Sequence, residues 1–288
     1  MAVPSERNPE PAQPPPTRLR RLLAGGEPAS VSEIVEETGL WDRSAAPRSR
    51  PRVVLNMVST VDGRATLDGR SGPIGDSADR ELFRGLRTAV DAVLVGAGTA
   101  RTERYGRIIR DDSQRRLRRQ RTLSPEPLAC IVTERLELGP DLPLLGQAGA
   151  HVVILTSSSD SLPASAAELD YVRAKRDGKL DLPAALNELG QRFGVQVLLC
   201  EGGPQLSDQL FSAGLVDELF LSLSPLLGGG EGAHGEALRI LAGAALDPPV
   251  RLELLGVLES DSHLFLRYGV SARERVSRET TLSSSLAR

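Results

Sequence analysis

The stretch Val195-Gln-Val-Leu-Leu-Cys200-Glu201-Gly202-Gly203-Pro204-Gln205-Leu206-Ser207 carries the densest chemical signal in the chain. An apolar run ends in a carboxylate, and two glycines then let another backbone or a phosphate come close. Pro204 follows where a helix can begin without its N–H. Strand, glycine turn and helix start together suit a pyrophosphate, with Gly202 and Gly203 against it. A tight strand-to-helix turn with Glu201 as a capping carboxylate would use the same residues. A second segment, Asp91-Ala-Val-Leu-Val-Gly96-Ala97-Gly98-Thr99-Ala100, repeats the plan. Around Gly96, backbone N–H groups and the helix dipole converge on any anion held there. It matches G-x-G-x-x-G only in part, with Arg101 in the third glycine's place. Asp111 and Asp112 lie in a polar, arginine-rich stretch rather than at a strand end, so the ribose-binding acid of a Rossmann unit is missing.

A third segment, Asn56-Met57-Val58-Ser59-Thr60-Val61-Asp62-Gly63-Arg64, runs from a buried-type strand into a small-polar turn. Such strand ends are where α/β sheets place ligands, and an Asx-type turn held by Asp62 would read the same way. Beyond it come nine arginines within residues 101–121. Those at 115–121 read as a solvated loop. Arg107 and Arg110, nearer the glycine turn, are the better partners for a phosphate, which guanidinium forks match.

These segments need an α/β frame to bring them together. Strands are predicted at about 52–59, 91–96, 128–133, 151–156 and 195–200, and helices at about 77–89, 98–103, 181–193 and 204–213, with Asp76 or Ser77 capping the first. After residue 213 the runs Asp217–Ser224, Arg251–Leu258 and Leu264–Val270 predict antiparallel strands added to the sheet. The expected fold is a mixed, mainly parallel central sheet with helices on both faces and a C-terminal antiparallel hairpin. Residues 1–17, with six prolines before position 17, are expected to form a disordered tail. Residues 18–50 read as an appendage of one or two short helices, with Ser30 or Ser32 as N-cap. Residues 51–270 form the main domain, and 271–288 a flexible polar tail.

Composition narrows the function classes. Lys and Arg total 35 against 38 Asp and Glu, a net charge of −3, so no global field draws the chain to nucleic acid or an anionic membrane. No apolar run approaches the ~18 residues that span a bilayer, and residues 1–25 offer no apolar signal region, which implies a cytoplasmic protein. With two cysteines, Cys130 and Cys200, far apart and three histidines in all, neither a disulfide framework nor a metal site is expected.

In order and spacing, Ser59-Thr60-Val61-Asp62-Gly63-Arg64, Val95-Gly96-Ala97-Gly98-Thr99-Ala100, Glu201-Gly202-Gly203-Pro204 and Asp217-Glu218-Leu219 through Gly228-Gly229 resemble the pyrimidine reductase domain of riboflavin biosynthesis. That domain is the C-terminal half of bifunctional deaminase-reductases. The resemblance, over about residues 50–270, implies a dihydrofolate-reductase-like fold, NADPH as cofactor, a homodimer, and reduction of a ribosylaminopyrimidine 5′-phosphate to its ribitylamino product. It places Val58, Thr99, Glu103, Gly203, Pro204, Gln205, Leu206, Ser207, Asp208 and Gln209 along the NADPH, with Pro73 nearby and Thr133 towards the adenosine. Ser71, Arg87, Arg110 and Glu201 would face the substrate. The chain departs from the family at Glu103-Arg104-Tyr105, where Asp-Asp-Pro is frequent, and at Pro73, where a bulky residue is common. It also lacks the H-x-E and P-C-x-x-C ligands of the zinc deaminase half. No histidine occurs in the shared motifs, which leaves the proton donor open, water included. Two other readings remain: a reductase of another pterin- or pyrimidine-like substrate, and a non-catalytic ligand-binding homologue.

Overall fold

Apolar β-branched runs buried on both faces build the centre of the molecule. The computed structural model describes residues 17–23, 26–43, 49–229 and 238–271, so the expected tails lie outside the described residues except at Thr17 and Ser271. Seven strands run parallel to their neighbours: β3 (Arg52–Thr60), β4 (Ala92–Gly96), β5 (Leu128–Val132), β6 (His151–Thr156), β7 (Glu168–Arg173), β10 (Val197–Cys200) and β11 (Glu218–Ser224). β12 (Leu252–Ser260) and β13 (His263–Val270) form an antiparallel hairpin beside β11, and β1 (Arg18–Arg21) and β2 (Ala29–Ser30) extend it. The sheet order is β2-β1-β12-β13-β11-β3-β10-β4-β5-β6-β7. A separate small ribbon pairs β8 (Lys175–Arg176) with β9 (Lys179–Leu180).

Successive strand side chains point to opposite faces, and each face has its own core. On one, Val54, Val93, Val95 and Leu199 pack under α1 (Val31–Glu37), α2 (Ser77–Ala89) and α3 (Ala97–Thr102). On the other, Val53, Leu55, Leu94 and Leu198 pack under α5 (Leu182–Phe193) and α6 (Pro204–Ser212). Asp76 caps α2 by accepting from the Asp79 N–H at 2.8 Å, and Ser30 with Glu33 closes a capping box on α1. Among the described residues no helix is long and apolar enough to cross a membrane.

Four expectations need correction. Residues 18–21 are a strand, not a helix: Leu19 is fully buried between outward arginines, whereas Leu22 and Leu23, which gave the helical spacing, are exposed. Strand β7, ELDYVR, escaped notice because an edge strand carries charges. β11 pairs parallel with β3, and only its partner β13 runs antiparallel to it. The arginine run is not a solvated loop, because residues Asp112–Gln120 form helix α4 and Arg118 is 1% exposed. Its guanidinium donates to the carbonyls of Ser124 (2.7 Å), Thr88 (2.8 Å) and Val90 (2.7 Å), so a cation caps the C-terminal end of α2. Burial brings its pKa down to about 10, which leaves it charged at neutral pH.

Candidate active site

A cleft of about 640 Å³ opens at the C-terminal ends of β3, β4, β5 and β10. Two strand-to-helix turns meet on its floor, where the Gly96 N–H donates to the Gly202 carbonyl at 2.8 Å. Gly96 is the N-cap of α3 and Gly203 that of α6, and neither helix start receives a side-chain cap. Their first-turn N–H groups therefore have neither an intrahelical partner nor a side-chain cap. Contact between the turns is close: a Cβ on Gly203 would fall 2.4 Å from Thr99 Oγ1, and Gly202 has φ +82°. Cys200, the last strand residue before the turn, is buried and its thiol is pushed up to about 12, so it stays a neutral packing residue.

The back wall is a closed ionic unit. Glu201 accepts from Arg87 Nε at 2.6 Å and Nη2 at 2.7 Å, and also from the Tyr105 hydroxyl. Burial raises the Tyr105 hydroxyl well above its ordinary value, and the Glu201 charge adds to that, so the phenol keeps the proton it donates. Burial works against the Arg87 charge, but Glu201 and Tyr105 more than offset it. Along one rim Glu103 accepts from the Ser71 N–H (3.0 Å) and hydroxyl (2.9 Å), which fastens the 69–75 loop. Outside the cleft lining, at the end of β3, Asp62 accepts from the Thr60 hydroxyl and from the N–H groups of Gly228 (3.2 Å) and Gly229 (2.7 Å). The Thr60 bond is the largest cause that lowers the Asp62 pKa to about 2. Asp62 thus closes more than its own turn, because it ties the end of β3 to the loop after β11.

Residues 51–264 match the model of the RibD C-terminal domain. The chain belongs to that family. A curated relative, the 2,5-diamino-6-ribosylamino-4(3H)-pyrimidinone 5′-phosphate reductase of Methanothermobacter thermautotrophicus, is 27% identical over 229 residues, which cover 77% of this chain and 99% of the relative. The riboflavin biosynthesis protein RibD of Escherichia coli is 25% identical, the match covering 74% of this chain and 59% of that longer protein. Among solved structures, a pyrimidine reductase-like protein from Corynebacterium diphtheriae superposes with a TM-score of 0.63 at 23% identity, covering 84% of this chain and 99% of the other, which shows a common fold.

In this RibD C-terminal domain the cleft wall brings together Val58, Ser71, Gly96, Thr99, Glu103, Thr133, Glu201, Gly203, Pro204, Gln205, Leu206 and Gln209. Other expected site residues sit elsewhere. Arg87 lies behind Glu201 and Phe83 rather than on the wall. Ser207 is fully buried against Met57, Asp208 lies against Gly243, and Pro73 faces solvent between wall residues Gly72 and Gly75. Gly202 gives its carbonyl to Gly96. Arg107 lines a different cavity, of about 400 Å³ at the N-terminal ends of the strands, and pairs with Glu126 at 3.2 Å. Arg110 is exposed and outside the cleft lining. The wall arginines are instead Arg80, Arg101 and Arg135. Sequence reasoning missed Tyr105 and Asp79 as wall residues. The available signal was helical spacing: Asp79 and Phe83, four residues apart, share the face of α2 that meets the cleft.

Proposed function

We propose that this domain is an NADPH-dependent reductase that converts a ribosylaminopyrimidine 5′-phosphate to its ribitylamino product. The observation that carries the reading is the junction of two uncapped helix starts at Gly96 and Gly203 inside a cleft of a RibD C-terminal domain. The dinucleotide fits that junction: a Cβ on Gly98 would meet open space, and Gly203 leaves no room for one. Thr99, Gly203 and Gln205 would hold the pyrophosphate through N–H groups and a hydroxyl, with the Pro204 ring packed beside it. Arg101 and Arg135, near Thr133, are the cations available for a 2′-phosphate, which favours NADPH over NADH. When bound, the reduced nicotinamide supplies a hydride for C1′ of the sugar. The protein's part is to hold the two reactants at about 3–3.5 Å and exclude water.

Glu201, with its side chain 2% exposed and its oxygens taken by Arg87 and Tyr105, serves as a fixed acceptor in the wall rather than a free counter-charge. A homodimer would bury Leu252, Leu254 and Leu255 of β12, which are 37–45% exposed in the single chain. The test is oxidation of NADPH with the ribosylaminopyrimidine phosphate, in its diamino and deaminated forms, against NADH and against dihydrofolate. Turnover with either ribosylaminopyrimidine and a higher kcat/KM for NADPH is expected. NADPH binding without any turnover would leave a ligand-binding homologue, and turnover of dihydrofolate alone a reductase of pterins.

A further inference from the structure

Reduction of a cyclic ribosylamine needs a proton as well as a hydride, and the wall of the cleft narrows its source. The ionisable acids on the wall are Asp79, Glu103, Tyr105, Glu134, Glu137 and Glu201. Glu201 is ion-paired to Arg87, and Tyr105 donates its own proton to Glu201. Glu103 accepts from Ser71, Glu134 from Ser157 and the Leu180 N–H, and Glu137 lies beside Arg135. Asp79 differs from all of these. It stands in the first turn of α2 near the buried Ser222 of β11, and among the described residues no arginine lies within ion-pair distance of it. Its carboxyl folds over Gly75, where a Cβ would fall 2.2 Å from Oδ2.

We propose that Asp79 is the general acid of this cleft, which deepens the reductase reading and rests on it. Asp79 gives its proton to the sugar ring oxygen O4′ as the C1′–O4′ bond breaks and its electron pair leaves with that oxygen. The lone pair of the exocyclic nitrogen forms the C1′=N bond of an iminium ion. C1′ then accepts the hydride, and the π electrons return to nitrogen. One proton and one hydride complete the balance, and water reprotonates the carboxylate that has faced the cation. The Asp79 carboxyl is raised above its ordinary value: burial is the main cause, Ser222 opposes it, the Asp76 charge at the N-cap of α2 raises it further, and His263 of β13 and Arg80 lower it. His263 is itself engaged by Asp76 at 3.4 Å and Ser224 at 3.3 Å.

The experiment compares wild type with Asp79→Asn and Gly75→Ala in NADPH affinity, single-turnover rate against pH, and thermal stability against pH. Asp79→Asn should bind NADPH as wild type does and lose about 10²–10⁴ in kcat/KM. The wild-type rate should fall as pH rises through the raised Asp79 value, and the Asn variant should lack that limb. A carboxyl raised in the folded state stabilises it below the unfolded value and loses that contribution as pH rises. Asp79→Asn should therefore gain Tm over wild type towards pH 8 and lose the advantage in acid. Gly75→Ala, which crowds the carboxyl, should lower kcat more than it raises KM. Turnover by Asp79→Asn within about threefold of wild type, an unchanged pH profile, or loss of NADPH affinity would overturn the acid role while the reductase reading stands. A wild type that binds NADPH and turns over neither pyrimidine would overturn both.

Discussion

Alanine at Gly203 separates a ligand cradle from an ordinary turn. Gly203 has φ −77°, a conformation open to any residue, so the substitution carries no backbone strain. Alone, that would favour alanine by about 0.4–1 kcal/mol through the unfolded state. The new Cβ, however, sits 2.4 Å from Thr99 Oγ1, well inside contact distance, and overpacking of this kind costs about 1–3 kcal/mol. A net loss of roughly 1–2 kcal/mol is expected. The Thr99 Cβ lies 3.7 Å from the same point, an ordinary contact, so Thr99→Ala should relieve the clash and restore most of the stability. NADPH affinity should not return in the double variant, because the methyl still fills the cradle and the hydroxyl is gone. Urea unfolding and NADPH titration on all four members of the cycle read both quantities. Additive stabilities would refute the Thr99 contact, and wild-type NADPH affinity in folded Gly203→Ala would refute the cradle.

Arg118→Leu should lower stability by about 2–5 kcal/mol, since it removes two carbonyl bonds at the end of α2 and one to Ser124, and should leave kcat/KM of the remaining folded enzyme unchanged. Urea unfolding beside a turnover assay checks both. Tyr105→Phe should cost about 1.5–3 kcal/mol at neutral pH through the lost bond to Glu201. Because the folded-state value is raised, that difference should shrink as pH climbs above about 10, where unfolded tyrosine ionises. Asp62→Asn should speed proteolytic cutting in the 225–229 loop at neutral pH, and acidification through about 2 should remove the contrast with wild type in loop protection, read by amide exchange.

The glycine turns were legible because their signal is local: strand, glycines and Pro204 follow one another within a dozen residues. Partners distant in sequence hid the rest. Arg107 read as a phosphate ligand from its nearness to Gly98, whereas its ion pair with Glu126 holds it at the opposite end of the strands. Arg118 read as solvated from its charged neighbours, but its acceptors lie 28 and 30 residues back, at Val90 and Thr88. Asp79 lies inside the helix expected at 77–89 and drew no reading from the sequence. Its chemical setting comes from Ser222 and His263 on strands β11 and β13, which no periodicity within α2 can announce.

Strand order explains why two turns so far apart in sequence share one floor. The chain lays down β3, then β4, β5, β6 and β7 in one direction, and returns to insert β10 between β3 and β4. Parallel pairing aligns Cys200 with Leu55 on one side and Leu94 on the other, so Glu201 and Gly202 emerge level with Val95 and Gly96. The Glu201 N–H donates to Leu94 and the Gly96 N–H to Gly202, continuing the ladder one step past the strands before both chains turn into helices. α3 then leaves on one face and α6 on the other, which opens a crevice where the two helix starts diverge. β11, on the far side of β3, carries Ser222, which lowers the Asp79 carboxyl against the effect of burial. A single insertion of β10 therefore sets the cradle and the Arg87–Glu201–Tyr105 wall, while the next strand supplies the support for the proposed acid. Disturbing the β4–β10 register by one residue would part Gly96 from Gly202 and with them the cradle, while leaving the β3–β11 pairing in place.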